Sequence, residues 1–179
     1  MTIFIALLRA VNVGGTGKLP MTDLKDMCCA AGFRSVQTYI ASGNVVFESR
    51  LSESAVQKKL ESRLLEYAGK PVGVVVRTAN EMAEVLAHNP FPGSAPNRTV
   101  AIFLAESPAR NALEPISGRG DEEVALGKRE IYVSYGDNMG QSKLKIPAAK
   151  SGTARNMNTV AKLVAMAVAR VRTGQPKIA

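Results

Sequence analysis

The apolar positions of this chain come in short bursts whose spacing switches between two periods. Thr2–Leu8 (TIFIALL) is an almost continuous apolar run of strand length, the pattern of a central strand buried on both faces. From about Thr22 to Ala31, Leu24, Met27 and Cys28 fall at helical spacing, with Thr22 placed to cap the start and Gly32 to stop it. Ser35–Ala41 alternates, putting Val36, Thr38 and Ile40 on one side and Gln37 and Tyr39 on the other. Gly43 and Asn44 supply a turn, and Val45–Glu48 returns as the partner strand. Ser52 caps a helix over Glu53–Ala68, in which Val56, Leu60, Leu64 and Ala68 recur every four residues before Gly69 and Pro71 end it. Val72–Thr78 is a further strand. The order is βαββαβ, that of a ferredoxin-like half.

The remainder repeats this grammar. A short helix over Asn80–His88 opens on an Asn, and Asn89–Asn97 (NPFPGSAPN) reads as a linker. Thr99–Ala105 is an apolar strand and Ser107–Leu113 a short helix closed by Pro115. Glu123–Leu126 and Glu130–Tyr135 pair around Gly127, Lys128 and Arg129. Asp137–Gly152 has no pattern. A last helix runs from about Thr153 to Val171, with Val160, Leu163, Val164, Ala167, Val168 and Val171 on one stripe and Gly174 and Pro176 beyond it. This half reads βαββα, without a final strand. The expected fold class is α+β: two tandem ferredoxin-like (α-β plait) halves with antiparallel sheets and helices on one face. The divisions fall at 1–79, at 80–97 for the helix and linker, and at 98–179.

Topology then joins two breaks that are some thirty residues apart in sequence. With strand order 4-1-3-2 and antiparallel neighbours, the loop leaving the first strand and the hairpin between the second and third lie at the same end of the sheet. That loop carries Arg9, Asn12, Gly14, Gly15 and Lys18, and the hairpin carries Ser42, Gly43 and Asn44. Paired glycines permit positive φ and close backbone approach, so free N–H groups there could form an anion-binding nest. Arg9 and Lys18 would add charge, and Asn12, Ser42 and Asn44 orientation. The plainer alternative is a polar turn feeding a helix. GTGK is not a phosphate loop of the Walker type, because Asn12 stands five residues before Gly17 and Leu19 follows Lys18.

Composition sets the outer bounds. At 179 residues, 46% hydrophobic and 21% charged, the chain can build its own core without disulfides or metal. No apolar run reaches the length of a membrane span, and the start reads as a strand rather than a signal peptide, so a cytoplasmic protein is expected. The net charge of +8 favours polyanionic partners: nucleic acid, nucleotides or anionic membranes. The function ranked first is binding of a phosphate-bearing small ligand such as a nucleotide, with a nucleic-acid-binding module, or a protein-interaction domain without a small-molecule site, as the alternatives. Aromatics are only 5% with no Trp, which argues against a stacking platform for bases. The adjacent Cys28 and Cys29 cannot supply two legs of a tetrahedral metal site and read as buried, inert thiols. With one His, at a helix end and suited to capping, no metal site and no cofactor are expected, and no nucleophile–base pair is visible. Asp121, Glu122 and Glu123 read as an exposed run rather than an acid/base pair. Met139, Met157 and Met166 read as packing residues. A second basic stretch, Gln141–Thr159, carries Lys143, Lys145, Lys150, Arg155, Asn156 and Asn158. It reads as a functional loop or as one merely solvated.

The blocks LLRAVNVGGTGKLPMTDLKDM, TYIASGNVVF and, near the end, SKL and TARNMNTVAKL resemble the bacterial family known as domain of unknown function 1697. The resemblance implies two tandem ferredoxin-like halves and leaves the activity open. Its motif positions fall here on Arg9, Asn12, Gly14, Gly15, Lys18, Ser42, Gly43 and Asn44. In the later block they fall on Ser142, Lys143, Arg155, Asn156 and Thr159, of which Lys143 and Arg155 would close over a ligand. Ala10 stands where the family usually has Gly, Met157 where it usually has Trp, and the segment between Lys143 and Thr153 is shorter than usual.

Overall fold

The computed structural model describes residues 1–13 and 17–173. Gly14 and Gly15, the expected nest, lie outside the described residues, as do Gly174 and Pro176. Strand β1 (Thr2–Leu8) is followed by helix α1 (Met21–Ala30), strands β2 (Arg34–Tyr39) and β3 (Asn44–Ser49), helix α2 (Glu53–Ala68) and strand β4 (Val74–Thr78). These strands form one sheet in the order β2-β3-β1-β4, and every neighbouring pair is antiparallel. Helix α3 (Ala79–Ala87) leads to strands β5 (Thr99–Phe103), β6 (Glu123–Leu126), β7 (Glu130–Ser134) and β8 (Thr153–Asn156), then helix α4 (Met157–Thr173). The second sheet, β6-β7-β5-β8, is also antiparallel throughout. The protein is therefore a mixed α+β chain with two four-stranded antiparallel sheets.

The chain divides into two compact units, 1–82 with 162–179, and 83–161. The division read from the sequence keeps all of 98–179 together, whereas these units assign 162–179 to the first.

In the first unit one face of the sheet (Phe4, Ala6, Leu8, Val45, Phe47, Val74, Val76) packs on Leu24 and Cys28 of α1 and Val56, Leu60 and Leu64 of α2. Phe47 stacks on Phe33 with ring centroids 4.4 Å apart. The residues that alternate with that face, Ile5, Leu7, Val46 and Val75, are buried as well. This is why β1 reads as continuously apolar. Helix α2 matches its local signals: Ser52 Oγ accepts from the Ala55 N–H, and Gly69 ends the helix with φ +67°. Helix α1 begins a residue earlier than expected, with Pro20 at the capping position and no side-chain cap, so Thr22 lies inside the first turn. Helix α3 is capped by Thr78 and not by an Asn. The Glu81 N–H donates to Thr78 Oγ1 and the Thr78 N–H to Glu81 Oε2, a reciprocal capping box.

In the second unit Val100, Ile102, Leu104, Ile131 and Val133 form a core over which Leu113, Leu144, Ile146 and Ala149 pack from the connecting segments. Residues 107–113 are not the expected helix. The chain makes separate four-residue turns there, with the Ala112 N–H donating to Ala109 O and the Glu114 N–H to Asn111 O. The last helix also begins later than expected. Thr153–Asn156 pairs with β5 as β8, so the second sheet has a fourth strand where none was expected. Helix α4 buries Val160, Leu163 and Ala167 but leaves Val168 43% exposed, and the side chain of Val171 lies outside the described residues.

Among the described residues no helix is long and apolar enough to cross a membrane, and no group of three or more His, Cys, Asp or Glu could hold a metal ion. Cys28 is buried, and burial pushes its thiol up to about 12, so it is inert as read. Cys29, expected to be buried too, is exposed because it sits a hundred degrees round the helix from its neighbour. Met139 is also more exposed than its reading as a packing residue implied, whereas Met157 and Met166 are buried. His88 Nδ1 lies 2.9 Å from the Glu84 carbonyl at the end of α3, as a capping histidine should.

Candidate functional site

The end of β1 is held from both sides. The Leu8 N–H donates to Gly43 O and the Arg9 N–H to Gly73 O, each at 2.8 Å, so the strand is clamped between the β2–β3 hairpin and the entry to β4. The chain then turns sharply through Ala10 (φ +52°) and Asn12 (φ +55°), both in the left-handed region. An Asn tolerates that conformation and an Ala adopts it at a cost.

Asn12 ties the loop down. Its Nδ2 donates to Leu19 O at 2.9 Å and to Ala41 O at 2.7 Å, while its Oδ1 accepts from the Leu19 N–H at 2.7 Å. The loop and the hairpin are thus neighbours. The amide that joins them, however, spends its donors and an acceptor inside the protein, a structural position rather than a ligand-facing one. Asn44 is likewise inward: it is fully buried, and its Nδ2 donates to Tyr39 O at 2.9 Å and lies 3.0 Å from Ser42 Oγ. Gly43 (φ +82°) touches the loop so closely that a Cβ would meet Val11 Cγ2 at 2.6 Å.

What opens to solvent on this edge is a cavity of about 610 Å³ behind the loop. Arg9 and Lys18 line it from the loop, Leu64, Tyr67 and Ala68 from the last turn of α2, and Lys70, Pro71, Val72 and Gly73 from the segment entering β4. Arg9, Lys18 and Lys70 put three cations on its lining, and no Asp or Glu is among the described residues that line it. The Tyr67 hydroxyl donates to Asp23 Oδ2 at 2.7 Å, an attachment that raises its pKa and joins α2 to α1. Lys70 and Tyr67 were not among the residues read from the sequence. The one signal available for Lys70 is its place just past the Gly69 cap, at the mouth of a helix end.

On the other side of residues 17–19 lies a second cavity, of about 650 Å³, lined by Asn12, Val13, Gly17, Lys18, Leu19, Pro20, Met21 and Ala41. Gly17, Lys18 and Leu19 are common to both, forming a ridge between them.

The later candidates belong to the second unit. Lys143 is exposed, beside the bridge in which Ser117 and Lys145 exchange backbone hydrogen bonds. Arg155 is on β8, 8% exposed, with Nη1 donating to Thr153 Oγ1 and Ala154 O at 2.8 Å each. Burial pulls its guanidinium down to about 10. Asn156 Oδ1 accepts from the Thr159 N–H at 2.9 Å, a helix cap for α4, and Thr159 is buried. These are structural placements for Arg155, Asn156 and Thr159.

Glu122, expected to be exposed with its neighbours, is the polar hub of the second unit. It is 4% exposed and accepts from the Gly120 N–H at 2.6 Å and from the Ser142 hydroxyl. Those bonds, Ser142 first, hold its carboxyl below the ordinary 4.5. Because the folded pKa lies below the unfolded one, the stabilisation is complete above about 4.5 and is lost as pH falls through the folded value. Urea titrations at several pH values should therefore show wild type losing midpoint below pH 4.5 more steeply than Glu122→Gln. Equal slopes would contradict the assignment.

The fold and the edge cavity define an α+β protein of two sheet units with a basic, concave rim on the first. Residues 1–132 match the model of the family described as "Protein of unknown function (DUF1697)", and the chain belongs to that family. The match ends at Tyr132, so Ser142, Lys143, Arg155, Asn156 and Thr159 lie beyond it. Among solved structures, the chain is similar to the conserved bacterial protein SP0830 from Streptococcus pneumoniae. The TM-score is 0.77 and the identity 25%, over 93% of this chain and 98% of that one. No curated protein matches it.

Proposed function

We propose that this protein binds a phosphate-bearing small ligand, such as a nucleotide, with the phosphate in the cavity rimmed by Arg9, Lys18 and Lys70. The observation that carries the reading is three cations on one concave surface with no carboxylate among its described lining residues. Such an arrangement holds an anion by charge-assisted hydrogen bonds, stronger than neutral ones and weakened by salt. Leu64 and Val72 add apolar surface to the cavity's lining and would exclude water from the bound group. Asn12, Gly43 and Asn44 act here by shaping the rim. We take the two sheet units as variations on the ferredoxin-like plait, and the protein as cytoplasmic. No step of catalysis is assigned.

A nucleic-acid module on this plait would use its open sheet face. Here Ile5, Leu7, Val46 and Val75 on that face are buried and aliphatic, and the half-buried Tyr39 that the register adds is a single ring, too little for a stacking platform, which favours the edge cavity over the sheet.

A thermal-shift titration of the full chain with inorganic phosphate, nucleotides and sugar phosphates tests the reading. Binding should raise the melting temperature at millimolar ligand and fade with added salt. Lys18→Ala and Lys70→Ala should each weaken it about tenfold, the value of one charge-assisted hydrogen bond at an exposed site. No shift with any of these compounds would overturn it.

A further inference from the structure

The second cavity extends the first, and its walls specify what is attached to the phosphate. Across the ridge of Gly17, Lys18 and Leu19 from the basic rim, the surface changes from charge to carbon: Val13, Pro20, Met21 and Ala41. The backbone groups of Leu19 and the carbonyl of Ala41, which this wall would otherwise show, are satisfied internally. The Leu19 and Ala41 carbonyls both accept from Asn12 Nδ2, and Asn12 Oδ1 accepts from the Leu19 N–H. Val13, which lines the cavity, is 53% exposed, and Ile40, next to Ala41 in the chain, is 48% exposed, so apolar surface is open to solvent here.

We propose, resting on the phosphate reading above, that the ligand is a phosphate monoester of an apolar, aliphatic alcohol. Its phosphate sits at Arg9, Lys18 and Lys70, and its hydrocarbon chain lies over the ridge into the cavity of Val13, Pro20, Met21 and Ala41. Lys18 is common to both cavities and holds the phosphate at the junction. A hydrocarbon gains by leaving water for such a wall. A nucleobase would bring ring nitrogens and an exocyclic group that Val13, Pro20, Met21 and Ala41 cannot hydrogen-bond, and no aromatic side chain is among the described lining residues to stack on it. The occupant is therefore a member of the phosphate-bearing class proposed above other than a nucleotide.

The test measures, by calorimetry on the full chain at fixed ionic strength, the affinities of inorganic phosphate, ethyl, butyl and hexyl phosphate, and adenosine monophosphate. Affinity should rise with chain length, up to about fourfold for each methylene buried, and hexyl phosphate should outbind adenosine monophosphate. Val13→Asn and Met21→Gln should flatten the dependence on chain length, read relative to inorganic phosphate in the same variant. Phosphate binding with no dependence on chain length, or adenosine monophosphate binding best, overturns this inference and leaves the phosphate reading standing. Failure of every compound, inorganic phosphate included, overturns both.

Discussion

Replacing Gly43 with Ala should lower the stability of the fold by about 2–4 kcal/mol, seen as a fall in the urea midpoint at unchanged slope. Two costs coincide there. The backbone is at φ +82°, a left-handed conformation that an L side chain adopts at a penalty of roughly 1–2 kcal/mol. The added methyl would also sit 2.6 Å from Val11 Cγ2 and 2.8 Å from Leu8 Cβ. Neither neighbour can swing away, since Leu8 is fully buried and Val11 is 7% exposed. Their displacement would also strain the bond from the Leu8 N–H to Gly43 O that clamps the end of β1. Gly32 separates the two costs. It has almost the same backbone, φ +84°, but nothing within 4 Å of its would-be Cβ. Gly32→Ala should therefore show the backbone penalty alone. If the two substitutions cost the same, the hairpin does not pack on the loop as described.

That close approach was legible in the sequence only as topology. An alternating strand, a Gly-Asn turn and a buried central strand together place the hairpin beside the end of β1, and the register of Leu7 opposite Asn44 does so. What the pattern could not show is which way polar atoms face. Asn12 and Asn44 have the same amide whether it meets a ligand or closes a turn, and here both close turns. Helix α2 was legible to the residue because cap, period and stop all lie within it. Strand β8 was not. Its inward positions are Thr153 and Arg155, so it carries no apolar alternation, and only its pairing with β5 makes it a strand. The stretch 107–113 failed in the opposite direction: Ser107-Pro108 has the composition of a helix start, yet the chain makes only separate turns there. Lys70 and Tyr67 join Arg9 and Lys18 only because the end of α2 packs beside the loop, a tertiary fact with no local trace.

The other large effect is expected from Asn12→Asp, a substitution that keeps shape and backbone preference and changes two atoms. Asp tolerates φ +55° about as well as Asn, so no strain is added. The change is electrostatic. Where Nδ2 now donates to Leu19 O at 2.9 Å and Ala41 O at 2.7 Å, a carboxylate oxygen would face two carbonyl oxygens with nothing to give them. Two lost hydrogen bonds, with repulsion in their place, should cost about 2–4 kcal/mol at neutral pH. Protonation returns a donor to that position, so the folded state raises the pKa of the new carboxyl above its unfolded value of about 3.9. The penalty is then full above the folded pKa and shrinks as pH falls through it, so the gap to wild type should narrow towards acid. Asn12→Ala, which removes the hydrogen bonds without adding a charge, should be destabilised at every pH without that recovery. Ligand binding should suffer with stability, because the amide that ties Leu19 to Ala41 also sets the ridge between the two cavities. An Asp variant as stable as wild type at pH 7, or one whose deficit ignores pH, would mean that the loop is fastened to the hairpin by something other than this side chain.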